Sequence, residues 1–97
     1  MPRTQAQIEA AERDGLYCLW HKYRSENPAL APLSDEHHIA RRQPGSDRPE
    51  LIIGLCRVCH TFHHNGRSPT TAELLDLMLD LYHLDLRRDF PLFFAGY

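Results

Sequence analysis

DEHHI at residues 35–39 and LCRVCHTFHH at residues 55–64 decide how this chain folds, because they set two adjacent histidines against a Cys-x-x-Cys and a histidine pair four positions apart. An adjacent pair on a strand splits, since successive side chains point to opposite faces: His37 turns toward a cation and His38 away from it. On a helix, positions i and i+4 lie one turn apart on one face, so His60 and His64 reach the same ion. One strand histidine ligates, and its neighbour stays free to take a proton. Six of the seven histidines fall between positions 21 and 64, and neutral imidazole is the commonest metal ligand. His63 reads as a solvated helix residue, with a substitute ligand or phosphate donor as its lesser reading.

Outward from these stretches the elements follow. Residues 35–39 form a short strand, the Pro/Gly/Ser/Asp-rich run at 41–50 a turn-rich excursion, and LIIGL at 51–55 a returning strand. A helix of about two turns starts near Arg57 or Val58 and stops at Asn65-Gly66. Cys18-x-x-His21 and Cys56-x-x-Cys59 have the spacing of metal knuckles. Upstream, Thr4-x-x-Gln7 is a capping box that opens a helix ending near Gly15, and the proline-containing run at 25–34 is a loop. Downstream, Ser68-Pro69 and Thr70-x-x-Glu73 start a leucine-rich helix expected over 70–88. Its one polar stripe is Glu73, Asp76, Asp80, His83 and Arg87, which leaves apolar flanks on both sides. The fold class is a small α+β domain in which a hairpin and a helix are flanked by N- and C-terminal helices.

At 97 residues the chain makes one domain whose core gives only marginal stability, so a structural metal would help. Three cysteines leave a thiol over in any disulfide scheme, and the polar start MPRTQAQ lacks a signal-peptide core. A reducing cytoplasmic setting with cysteines as metal ligands is expected. The leucine-rich stretch is interrupted by Asp76, Asp80, His83 and Asp85, which rules against a membrane span. Net charge is −2, yet residues 18–68 hold seven basic side chains against five acidic ones, a local +2 that coincides with the histidine cluster. Phosphates would sit there.

These residues resemble the HNH endonucleases, the ββα-metal nucleases, over residues 18–64: HHI at 37–39, the GSD-x-PE loop at 45–50, and LCRVCH at 55–60. The resemblance implies a ββα-metal core within residues 16–66 and a metal-dependent DNA endonuclease. It implies His38 as general base, and His37, His60 and His64 as ligands of a catalytic Mg²⁺, Mn²⁺ or Ni²⁺. It implies one structural Zn²⁺ on Cys18, His21, Cys56 and Cys59, with His21 in place of the usual cysteine. The base would deprotonate a water in line with the scissile P–O bond while the cation stabilises the charge that builds up. Arg41, Arg42 and Arg57 would hold flanking phosphates. Small stand-alone members are of phage or bacterial type.

One departure stands out: the family's middle asparagine would fall at Leu51, and Asp47 or Asn65 is left to supply the bond it normally makes. The competing reading is a zinc-stabilised binding module of the same fold, weak or inactive as an enzyme, that acts through its leucine-rich helix. In either case residues 71–97 are expected to engage a second copy or a larger protein.

Overall fold

The computed structural model describes residues 3–24, 35–41 and 43–97, so the expected loop at 25–34 and Arg42 lie outside the described residues. Helix α1 (Gln5–Arg13) and helix α2 (Leu19–Tyr23) precede strand β1 (Asp35–His38). Strand β2 (Ile52–Leu55), helix α3 (Arg57–His64), helix α4 (Thr71–Tyr82) and helix α5 (Leu86–Asp89) follow. The two strands pair antiparallel with His37 opposite Ile53 and His38 opposite Ile52. Leu51 closes a 3₁₀ turn begun by Pro49, and its carbonyl accepts from the Ile39 amide at 2.8 Å. The returning strand therefore begins one residue later than expected.

Opposed residues of an antiparallel pair share a face, and this register divides the hairpin. Asp35, His37, Ile53 and Leu55 face one way; Glu36, His38, Ile52 and Gly54 face the other. Ile53 and Leu55 enter the main core with Leu19, Trp20, Leu74, Leu77 and Met78. Ile52 packs instead against Ala6 and Ala10 of α1. All four residues of β2 are buried, because helices cover both of its faces.

The outer edge of β2 is closed by α1 in place of a third strand. Arg13 donates to the carbonyls of Pro49 (2.7 Å) and Ile52 (2.6 Å). Its neighbour Asp14, 1% exposed, accepts from the Gly54 amide at 2.9 Å and from the Tyr82 hydroxyl at 2.7 Å. These bonds occupy backbone groups of β2 that a third strand would otherwise pair.

The capping box at Thr70 and Glu73 opens α4 as expected, with Glu73 Oε1 accepting from the Thr70 amide and Thr70 Oγ1 from the Glu73 amide. The expected single helix to Arg88 is corrected. His83 adopts a left-handed conformation (φ 57°) and ends α4, while the Asp85 side chain accepts from the Arg88 amide and starts α5. Aspartate competes with the helix for its own backbone and favours a cap. Leu74, Leu75, Leu77, Met78 and Leu86 are buried in the main core, while Leu79 and Leu81 on the two leucine flanks stay exposed. Among the described residues, no helix is long and apolar enough to cross a membrane.

Candidate active site and metal centres

Cys18 occupies the N-cap of α2 and Cys56 that of α3, neither making a side-chain capping bond, so both thiols are free to point at a common centre. His21 and Cys59 come from the first turns of the same two helices. Ligand atoms of these four residues all lie within 4.8 Å of one another; His21 Nδ1 is 3.8 Å from Cys56 Sγ and 3.5 Å from Cys59 Sγ. Burial pushes the Cys18 and Cys59 thiols up, and at Cys59 the neighbouring thiols add to the rise. All three cysteines are free and buried. Three sulfurs and an imidazole at this spacing fit zinc, whose positive charge would reverse that rise by favouring thiolates.

The second set forms where the inward face of β1 meets α3. His37, His60 and His64 bring ligand atoms within 4.8 Å of one another. His37 Nδ1 and His64 Nε2 stand 3.1 Å and 2.8 Å from His60 Nε2. Asp35 Oδ2 lies 2.9 Å from His60 Nδ1, and a carboxylate only accepts, so His60 carries its proton on Nδ1 and turns a bare Nε2 lone pair to its two neighbours. Three imidazole nitrogens brought this close, one of them a bare lone pair, are a set that a cation could draw together. This set fits a divalent ion, and His60 already shows the carboxylate–histidine support such ligands require.

Electrostatics favour a neutral His37. Burial, reinforced by the surrounding histidines, pushes His37 down to about 3. At Asp35 burial works upward, but the bonds from His60 and Arg57 outweigh it and hold the carboxyl below the usual range. The expectations gave Asp35 no role; its place two residues before His37, on the same strand face, is the signal that would have found it.

His38, on the opposite strand face, takes no part in that set. Its Nε2 is 2.9 Å from Asp47 Oδ1, and Asp47 also accepts from Thr4 Oγ1 at 3.1 Å. Asp47 thus contacts His38, while Asn65 caps the end of α3. Leu51 is fully buried. His37, His38, His60, His63 and His64 all line one open cleft of about 670 Å³, together with Gln7, Arg41 and Tyr97.

Arg41 is exposed in that cleft. Arg57 grips Asp35 through two nitrogens, at 3.1 and 3.3 Å. The reading of His63 as a solvated residue is corrected: it is half-buried, and its Nδ1 lies 2.8 Å from the Pro69 carbonyl. No family model, curated protein or solved structure matches the chain.

Proposed function

We propose that this chain is a ββα-metal nuclease of the HNH type that hydrolyses phosphodiester bonds in DNA with a divalent cation and a histidine base. The observation that carries this reading is the division of the adjacent histidines. His37 joins the nitrogens of His60 and His64, while His38 turns away to Asp47 and still lines the same cleft. A purely structural ion would need no such second histidine.

Asp47 accepts the His38 Nε2 proton, so His38 Nδ1 holds the lone pair and can take a proton from water. The Asp47 carboxylate also stabilises the imidazolium that results, the part usually left to an orienting group beside a base. His37, His60 and His64 would hold the cation, which when bound supplies Lewis-acid stabilisation of the phosphate and the departing oxygen. Arg41, exposed in the cleft, is placed to meet a flanking phosphate. The set Cys18, His21, Cys56 and Cys59 would hold a structural zinc that anchors the start of α3.

Plasmid nicking with Mg²⁺, Mn²⁺ and Ni²⁺ tests the reading. Cleavage by the native chain that disappears in a folded His38→Ala variant is expected. No cleavage with any of these cations, or equal cleavage by the variant, would leave a zinc-stabilised binding module as the better description.

A further inference from the structure

We propose that Thr4 is a positioning residue for the base: its hydroxyl fixes the Asp47 carboxylate in the orientation that His38 uses. The inference rests on reading His38 as the general base and Asp47 as its orienting group. Asp47 lies outside every helix and strand, and its side chain is 45% exposed against 7% for the ring it serves. A carboxylate so open to water needs a tether, because the torsion that turns its two oxygens has only a broad preference of its own.

The Thr4 hydroxyl supplies that tether. A threonine hydroxyl has one proton and two lone pairs. The Gln7 amide donates to Thr4 Oγ1 at 3.2 Å and so takes up a lone pair, which leaves the proton to donate to Asp47 Oδ1 at 3.1 Å. His38 Nε2 meets the same oxygen at 2.9 Å. Two donors on one oxygen decide which of the two carboxylate oxygens faces the ring, and an ionised carboxylate has lone pairs enough for both.

Thr4 can position another group because it is itself held. Its own amide donates to Gln7 Oε1 at 2.9 Å, and its neighbour Arg3 pairs with Glu36 of β1 at 2.8 Å. The helix it opens packs Ala6 and Ala10 on Ile52, the residue paired with His38, and Arg13 at the far end binds the Pro49 and Ile52 carbonyls. The base on β1, its carboxylate in the connection between the strands and the cap of α1 therefore form one hydrogen-bonded unit. Thr4 acts in it through Asp47 and touches neither the cation nor the substrate in this role.

Nicking kinetics with Mg²⁺, Mn²⁺ and Ni²⁺, together with ¹H–¹⁵N NMR of the zinc-loaded chain, test the role. Thr4→Gly removes the hydroxyl while glycine remains tolerated at a helix cap; it should lower kcat about 10-fold and leave KM and melting near native. Thr4→Ser restores the hydroxyl and should recover native turnover. In an Asp47→Ala background Thr4→Gly should cost nothing further, because its effect runs through that carboxylate. Equal losses in both backgrounds, a loss confined to KM, or failure of serine to rescue overturns the proposal. The NMR reading needs no cleavage: the His38 Nε2 proton should give a resolved resonance in the native chain and in Thr4→Ser, and should be lost to exchange with water in Thr4→Gly. A native chain that cuts with none of these cations overturns the nuclease reading and this inference together; a native chain that cuts, with kcat and the Nε2 proton indifferent to residue 4, overturns this inference alone.

Discussion

The two candidate metal clusters that meet on α3 differ in burial, in number of donors and in access. Cys18, Cys56 and Cys59 are buried and, with His21, offer four donors, enough to close a tetrahedral ion completely. The histidine set offers three donors, ends at the exposed His64, and opens on a cleft. Three donors leave a coordination position for water or phosphate. Adjacent positions on one short helix, Cys59 and His60, thus serve opposite ends, because side chains one position apart on a helix do not face each other.

The largest effect should come from the closed site. Structural zinc contributes about 10–16 kcal/mol in small zinc-finger peptides, against the roughly 5–15 kcal/mol net stability of a domain. Cys59→Ser, or strong chelation, should therefore abolish cooperative melting by circular dichroism, and elemental analysis should find one tightly held zinc in the native chain. A Cys59→Ser chain that melts like the native one would erase the contrast.

Next in size is the proposed base. His38→Ala should slow cleavage by about 10²–10⁴-fold while calorimetry finds cation affinity nearly unchanged; His60→Ala should lose both and keep the fold. Equal loss of cation binding in the two variants would show that the strand does not divide its histidines functionally. Asp47→Asn should cost less than His38→Ala, since the ring survives and only its orienting carboxylate is neutralised.

The smallest effect tests the scaffold between the sites. Tyr82→Phe removes one bond to Asp14 and should cost about 1 kcal/mol in urea unfolding. Burial, with the Asp14 carboxylate beside it, pushes Tyr82 from 10.0 up to about 12. The neutral phenol is thus favoured in the folded state, and its contribution is complete below pH 10 and is lost as pH rises toward 12. Native protein should lose stability across that window more steeply than Tyr82→Phe. Matching profiles would dissociate Tyr82 from the network.

Features with a local cause were legible in the sequence. The Thr4–Gln7 and Thr70–Glu73 boxes act over one turn, the Cys-x-x-Cys and Cys-x-x-His spacings bring ligands together within a knuckle, and strand alternation alone separates His37 from His38. What escaped depends on distant partners. Nothing near Arg13–Asp14 announces that the pair will cap Ile52 and Gly54 some forty residues away. The break at His83 has no glycine to signal it; a non-glycine residue is held left-handed while Asp85 caps the next helix. His63 looked solvated because its partner, the Pro69 carbonyl, belongs to backbone whose path the side-chain pattern does not reveal.

Helix α3 has one further consequence. Its eight residues span about 12 Å, too short to persist alone in water, where isolated helices below about 12–15 residues are marginal. Zinc at Cys56 and Cys59 would nucleate its first turn, the step that is intrinsically unfavourable, and elongation from there reaches His64 at the end where fraying is greatest. With ions bound, the imidazole set would thus be assembled by propagation from the thiolates, and ordering the final turn would draw on the free energy of binding the second ion. Cation affinity in this chain is then partly a measure of helix order, and amide exchange near His64 should slow when that ion binds.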